Sequence, residues 1–153
     1  MRLALLFSLL LAVPASAQHD GMDHDDPEAA VRATVSQLFD GMRSKDTVAV
    51  RAAFHPAARL MTSVMQDGEP NVVETEIDRF IEALASSAVH WDERVEDGYD
   101  VRVDDGLATA WVPYAFYADD TFSHCGVNAM MFARTSRGWE IIQIIDTRRP
   151  ECG

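Results

Sequence analysis

Apolar and polar positions follow two different periods along this chain, and the period changes near residue 89. In the first half, apolar side chains recur three and four residues apart, as on one face of a helix. The clearest stripe consists of Val31, Val35, Leu38, Phe39 and Met42. Before it, Asp26, Pro27 and Glu28 supply a capping carboxylate, a proline suited to the first turn and an acid near the positive end of the helix dipole. The pattern predicts a helix that begins at Pro27 and closes at Ser44-Lys45.

The same reasoning predicts two more helices with a hairpin between them. Asp46 caps a short helix that ends at Pro56. Residues 59–65 have the pattern of a strand, which turns at Gln66-Asp67-Gly68. Residues 75–78 (Thr-Glu-Ile-Asp) resemble a capping box and predict the third helix. The buried faces of these two helices are formed by Val50, Ala53 and Phe54, and by Ile77, Phe80, Ile81 and Leu84.

From Val89 onward, apolar positions alternate with polar ones, as in half-buried strands. Turn residues at Asp105-Gly106, Asp119-Asp120 and Ser136-Arg137-Gly138 separate strands over residues 107–117, 122–134 and 139–148. Because turns this short join neighbouring antiparallel strands, these strands form a meander. Three helices and an antiparallel meander predict an α+β domain, with the helices on one face of a curved sheet.

Several short segments resemble those of one known family, in the same order. They are Phe54 to Leu60 (FHPAARL), Trp111 to Tyr117, Ser123 to Asn128, Gly138 to Ile141, and Asp146 to Arg149. Over about residues 27–152 the chain resembles the NTF2-like superfamily, in the branch called SnoaL-like or lumazine-binding-like. The resemblance implies a cone of three helices closed by a curved, mostly antiparallel sheet. It implies no single activity, because isomerases, dehydratases, hydrolases, ligand carriers and interaction modules share this scaffold.

The first residues have the features of an export signal. Arg2 is basic, the residues after it are apolar, and Ala15-Ser16-Ala17 forms a small-residue cleavage site. The apolar run is shorter than the about 20 residues that a bilayer-spanning helix needs. We therefore expect a signal peptide over residues 1–17, a flexible acidic segment over 18–26 and one domain over 27–152. The mature protein is expected in the periplasm or outside the cell.

Charge and motifs narrow the possible partners. The net charge of −12 repels nucleic acids and anionic membrane surfaces, so neither is expected as a partner after signal cleavage. The acidic segment contains two histidines and either holds a divalent metal loosely or is simply solvated; its composition favours the second reading. No histidine pair has metal-binding spacing, and the chain has no phosphate-binding glycine loop and no serine nucleophile elbow. We therefore expect no cofactor and no metal.

Cys125 and Cys152 either form a disulfide or remain two buried thiols. An oxidising compartment favours the disulfide. In a hairpin with a three-residue loop at 136–138, Cys125 lies opposite Arg149, so a tail that turns back after Pro150 brings Cys152 within bonding distance.

Hairpin register predicts which side chains share a face of the sheet. With the same three-residue loop, Asn128 lies opposite Asp146 and Met130 opposite Ile144. With a two-residue turn at 119–120, Trp111 lies opposite Asn128. The predicted polar face consists of Thr109, Trp111, Tyr117, His124, Asn128, Asp146 and Arg148, among Met130, Phe132, Ile142 and Ile144. An apolar wall with a few polar groups is typical of a small-molecule cavity.

Candidate roles follow from residue type. Asp146 is a candidate general base with His124 as its partner, and Arg148 either keeps Asp146 ionised or binds an anionic group. The candidate ligand-binding residues are Trp111, Tyr117, Asn128, Arg148 and, at the cone rim, Trp91. The alternative for Asp146 and Arg148 is a purely structural pair. For His124 it is a structural hydrogen bond, and for Trp111 it is core packing.

Three functions remain open at this point. The first is binding of a small, partly apolar or aromatic molecule in the cone. The second is an isomerase, dehydratase or hydrolase that uses Asp146 with His124 as acid and base. The third is an interaction module without a ligand, whose outer sheet face forms a homodimer. That outer face is predicted to carry Val112, Tyr114, Phe116, Cys125, Val127 and Met131.

Overall fold

A computed structural model describes residues 26–96 and 98–152. The predicted signal peptide and nearly all of the acidic segment lie outside the described residues. Within them the element order is helix, helix, two strands, helix and five strands. No helix in this part of the chain is long and apolar enough to cross a membrane.

The first two helices begin where the sequence predicts. Helix α1 spans Pro27–Ser44, and the Asp26 side chain accepts hydrogen bonds from the backbone N–H groups of Glu28 and Ala29 at 3.0 and 3.1 Å. Helix α2 spans Thr47–Ala53, and Asp46 caps it in the same way. The apolar stripe of α1 is confirmed, since all five predicted residues are buried.

The predicted end of the second helix and the predicted capping box of the third are wrong. Helix α2 ends at Ala53 rather than at Pro56, because Phe54 is already extended and pairs with Ile141 as the first residue of strand β1, Phe54–Gln66. A proline disfavours helical geometry in the residue before it, which keeps His55 in the strand as well. Helix α3 spans Ile77–Ser86 with Glu76 at its N-cap, and no side chain caps it.

Seven strands form one sheet. The remaining strands are β2 (Glu69–Thr75), β3 (Trp91–Val95), β4 (Asp100–Asp104), β5 (Leu107–Ala118), β6 (Thr121–Thr135) and β7 (Gly138–Thr147). The order across the sheet is β2-β1-β7-β6-β5-β3, with β4 paired to β5 along the same edge as β3. Strand β1 runs parallel to β7, and the other pairs are antiparallel. Three helices pack on this curved sheet, as predicted for an NTF2-like α+β fold.

Two bulges shift the register of the central hairpins. Between β5 and β6, Ala118 pairs with Thr121 as the turn predicts, but Phe116 pairs with His124, so Ser123 has no partner. Every pair of these two strands beyond the bulge is therefore displaced by one residue, which turns the side chains of β5 to the opposite face.

Between β6 and β7 the bulge has a different outcome. The turn has two residues rather than the predicted three, and the bulge at Ile142 restores the predicted register beyond it. The predicted pairs of Asn128 with Asp146 and of Met130 with Ile144 are therefore confirmed.

Candidate functional site

A cavity of about 390 Å³ lies between the helices and the inner face of the sheet. This volume falls within the range of small-molecule sites. Its polar lining residues are Thr62, Thr75, Arg79, Glu93, Tyr114, His124, Asn128, Asp146 and Arg148. Its apolar lining residues are Leu38, Phe39, Met42, Phe54, Leu60, Phe80, Ala83, Trp91, Phe116 and Ile144. The charged residues at the sheet end come from β3 and β7, whereas α1 contributes only apolar side chains.

Aromatic rings form a continuous wall along the cavity. Phe80 lies between Phe54 and Trp91, with ring centroids 6.5 and 5.9 Å apart. Trp91 then contacts Phe116 at 6.2 Å, and Phe116 stacks on the imidazole of His124 at 5.0 Å. Because these rings come from different elements, only the folded chain assembles the wall.

Asp146 lies at the polar end of the cavity and is 6 % exposed. Its Oδ2 accepts a hydrogen bond from Nε of Arg148 at 2.9 Å, and the hydroxyl of Tyr114 lies 3.2 Å away. Its Oδ1 is buried and has no hydrogen-bond partner among the described residues. A buried carboxylate oxygen without a donor costs free energy, so this atom marks the place where a ligand is best able to donate a hydrogen bond.

Gly126 allows Tyr114 to reach Asp146. Tyr114 is on β5 and Asp146 is on β7, and Gly126 of β6 pairs with Tyr114 between them. A Cβ atom at Gly126 would lie 2.9 Å from the tyrosine ring and would overlap the carbonyl oxygen of Thr147. The tyrosine hydroxyl also lies 2.9 Å from that carbonyl oxygen, and its pKa is raised by burial and by the charge of Asp146. The phenol therefore stays protonated and donates.

Glu93 is the second carboxyl group in the cavity and is 9 % exposed. The side-chain amide of Asn128 donates a hydrogen bond to its Oε1 at 2.6 Å. The pKa of Glu93 is raised to about 7, mainly by burial and also by the negative charge of Asp146, whereas Asn128 and Arg148 act in the opposite direction. Near neutral pH this group is therefore divided between the acid and the carboxylate.

His124 lines the same cavity without a hydrogen bond to Asp146 among the described residues. Its Nδ1 lies 3.1 Å from the hydroxyl of Ser123, and its ring meets the edge of Tyr114 at 5.8 Å. Burial lowers its pKa, and the positive charge of Arg148 acts in the same direction. The imidazole is thus neutral at neutral pH and forms part of the aromatic wall.

The structure brings together some of the residues predicted for the site and separates others. Trp91, His124, Asn128, Asp146 and Arg148 all line the cavity. The placement of Thr109, Trp111, Tyr117 and Ile142 on the cavity face is wrong. Trp111 is 58 % exposed on the outer face, and the ring of Tyr117 lies 3.9 Å from the guanidinium of Arg94.

The bulge at Ser123 explains the error on β5. Displacement by one residue puts Val112, Tyr114 and Phe116 inside, although the sequence reasoning assigned them to the outer face. At the other bulge, Ile141 rather than Ile142 pairs with the buried Phe132.

Sequence reasoning missed three important cavity residues, Glu93, Tyr114 and Phe116. Glu93 lies within the run Trp91-Asp92-Glu93-Arg94-Val95, where three consecutive charged residues suggest a solvated strand. The alternation of Trp91, Glu93 and Val95 was the one signal that places Glu93 beside Trp91.

The predicted disulfide is present. Cys125 and Cys152 are bonded with their Cα atoms 5.8 Å apart, and Cys125 pairs with Arg149 as predicted. The disulfide ties the chain after β7 to β6, close to Arg148.

The fold and the cavity define a cone-shaped α+β domain of the NTF2-like class. Similar solved structures support this assignment of the fold. The chain is similar to an NTF2-like protein of unknown function from Shewanella baltica, with 12% identity, a TM-score of 0.61, and coverage of 80% of this chain and 94% of that one. An NTF2-like protein from Cytophaga hutchinsonii gives 14% identity, a TM-score of 0.63, and coverage of 79% and 97%.

A third NTF2-like structure, with a cystatin-like fold, comes from Novosphingobium aromaticivorans. It gives 16% identity, a TM-score of 0.61, and coverage of 82% and 83%. No curated protein shows significant sequence similarity to the chain. A family model described as "Putative lumazine-binding" matches residues 26–144, and the chain belongs to this family. The NTF2-like resemblance is therefore confirmed.

Proposed function

We propose that this protein binds a small, flat, partly aromatic molecule inside the cone. The observation that carries the proposal is that one cavity contains both the aromatic wall from Phe54 to His124 and a buried Asp146 oxygen that has no hydrogen-bond partner among the described residues. Aromatic faces take up a planar ring by stacking and edge contacts. A few polar groups at one end then fix its orientation.

The size of the cavity fits such a molecule. Its volume of about 390 Å³ lies in the lower part of the range of about 300–1,000 Å³ for small-molecule sites, so a bicyclic heterocycle fits with room for a substituent. The family description names lumazine, a bicyclic heterocycle, and this supports the same size class. Arg79 and Arg148 also line the cavity, so a substituent with acceptor atoms has donors within reach.

Two matched substitutions on α3 test the proposal. Ala83 and Ala85 are both exposed on this helix, and only Ala83 lines the cavity. We expect Ala83→Trp to fill the cavity space with an indole and Ala85→Trp to leave it open. Native mass spectrometry of protein purified from its own host measures the outcome. A small molecule should accompany the wild type and Ala85→Trp, and it should be absent from Ala83→Trp. A bare wild-type mass, or equal occupancy of all three proteins, would contradict the proposal.

A second candidate function is proton transfer on the bound molecule. It is favoured by the presence of two carboxyl groups, Glu93 and Asp146, in one largely apolar cavity, with Arg148 bonded to only one of them. Different environments for two carboxyl groups allow one to act as acid and the other as base. In this reading Asp146 removes a proton, and the protonated carboxyl group of Glu93 returns one, because the neutral imidazole of His124 has none to give.

Hydrogen exchange on the co-purified molecule tests this second function. In deuterated water we expect the wild type to exchange a carbon-bound hydrogen of the molecule, as observed by NMR. Because a general base contributes roughly 10²–10⁴-fold, Asp146→Asn should slow the exchange by that factor. Far-ultraviolet circular dichroism checks that the variant is folded. Exchange at the rate of free solution would exclude the catalytic role.

A further inference from the structure

Each cavity wall contributes a different kind of group to the polar end. The titratable and charged groups are Arg79 from α3, Glu93 from β3, Tyr114 from β5, His124 from β6, Asp146 from β7 and Arg148 just beyond it. Helix α1 and strands β1 and β2 add only apolar or hydroxyl side chains there. The cavity lining therefore holds two carboxyl groups and two arginines, of which Arg148 is bonded to a carboxylate and Arg79 is exposed on α3.

Arg148 is already paired with Asp146. Its Nε donates to Asp146 Oδ2, the same oxygen that faces the Tyr114 hydroxyl. The negative charge of Asp146 is thus balanced by Arg148, and its Oδ1 remains a buried acceptor that receives no hydrogen bond from the part of the chain that the structure describes. A ligand that donates an N–H or O–H hydrogen bond to this oxygen would satisfy it.

Glu93 differs from Asp146, because in its protonated form it offers a hydrogen-bond donor. Asn128 donates to one of its oxygens, and no cation forms an ion pair with it among the described residues. In this buried position the neutral acid is favoured up to about pH 7. As an acid, Glu93 carries one O–H donor, and that donor requires an acceptor.

We propose that the polar end of the cavity selects a neutral ring edge with an N–H group next to a carbonyl, as in a cyclic amide, imide or urea. The N–H donates to Asp146 Oδ1, and the carbonyl accepts the O–H of the Glu93 acid. Asn128 holds Glu93 in place for this contact, and the aromatic wall holds the ring. The inference rests on the proposed binding function and names the chemical class of its ligand.

Three probes of similar shape separate this class from its alternatives. Quinazolinedione is a neutral bicyclic ring with adjacent N–H and carbonyl groups, and its N,N′-dimethyl derivative has the same ring without N–H donors. Benzamidine is a flat cation, which would instead pair with ionised Glu93. Isothermal titration calorimetry of the full chain measures all three at about pH 6 and about pH 8.

We expect the dione to bind and the dimethyl derivative to bind at least about tenfold more weakly, because Asp146 Oδ1 then stays unpaired. The dione should also bind about tenfold more tightly at the lower pH, since the protonated fraction of Glu93 falls by that factor between the two conditions. The proton taken up at about pH 8 is detected as a dependence of the binding heat on the buffer.

Glu93→Gln gives the sharpest test. Glutamine keeps an N–H donor for the ligand and an acceptor for Asn128, but it does not titrate. We expect this variant to bind the dione equally well at both pH values, at the level that the wild type reaches at the lower pH. Glu96→Gln is the matched control, because Glu96 is exposed and does not line the cavity, and it should keep the wild-type dependence.

Four outcomes would overturn the inference. They are no binding of the dione, equal binding of the dimethyl derivative, tighter binding of benzamidine than of the dione at about pH 6, and an unchanged pH dependence in Glu93→Gln. None of them contradicts the proposed function by itself, because the Ala83→Trp comparison tests occupancy of the cavity for any ligand.

Discussion

At the scale of single residues, the surroundings of Glu93 decide its protonation state. Its carboxyl group is enclosed by protein and receives one hydrogen bond, from Asn128, while Asp146 lies in the same cavity. Burial disfavours the charged form of the Glu93 carboxyl group, and a second carboxylate nearby disfavours it further. The pKa of about 7 lies above the ordinary value of 4.5, so the folded protein holds a proton that the unfolded chain loses.

This difference predicts a loss of stability with rising pH. Below about pH 4.5 the group is protonated in both states and its contribution is fully present. Between about pH 4.5 and about pH 7 only the unfolded state releases the proton, so the free energy of unfolding falls. The total loss from this group is roughly 3 kcal/mol. We expect Glu93→Gln to lack this loss and to be more stable than the wild type at about pH 8.

Urea denaturation of both proteins at about pH 5 and about pH 8 measures the effect. The difference between their two pH dependences isolates Glu93, because all other titrating groups are shared. Equal pH dependences would mean that Glu93 titrates normally in the folded protein.

At the scale of secondary-structure elements, one unpaired residue decides which face of β5 lines the cavity. The bulge at Ser123 turns Val112, Tyr114 and Phe116 inward and leaves Trp111 in solvent. Without the bulge, Trp111 would face Asn128, and Tyr114 would point away from Asp146. Gly126 completes the arrangement, because only a residue without a Cβ leaves room for the Tyr114 ring and the backbone of Thr147.

The helices contribute in a simpler way. Capping by Asp26 and Asp46 sets where α1 and α2 begin, and the apolar stripe of α1 closes the cavity from the side opposite the sheet. These features depend on neighbouring residues along the chain, so the sequence predicts them well. The end of α2 depends on pairing between Phe54 and Ile141, which are distant in sequence, and it was predicted less well.

At the scale of the whole molecule, the outer face of the sheet remains open to solvent. Trp111, Leu107 and Met131 are 58%, 46% and 36% exposed there. Apolar side chains of this size on one face are typical of a protein–protein contact. We expect a homodimer through this face, made by residues other than the Val112, Tyr114 and Phe116 set that the sequence reasoning assigned to it.

Light scattering at micromolar concentration tests this expectation. The wild type should have the mass of a dimer, and Trp111→Glu should have that of a monomer, because the new charge would be buried without a partner. Val48→Glu is the control, since Val48 is 77% exposed on α2, away from the sheet, and should leave the dimer intact. A monomeric wild type would remove the expectation.

The local parts of the sequence determined the architecture of this protein. Capping residues, apolar periods and turn dipeptides can each be recognised from residues only a few positions apart. Together they predicted the three helices, the meander and the α+β class. The pairing of Asn128 with Asp146 and the disulfide partner of Cys125 also followed, because the β6–β7 register is restored before these residues.

Only the tertiary structure decided which side chains form the site. A bulge at Ser123 or Ile142 has no sequence pattern of its own, since its geometry is stabilised by packing of strands that are far apart along the chain. A one-residue shift reverses every side chain of β5 beyond it, and so Trp111 lies outside while Tyr114 and Phe116 lie inside. Glu93 became a buried acid for the same reason: its environment comes from β3, β6 and β7 together, which no local pattern contains.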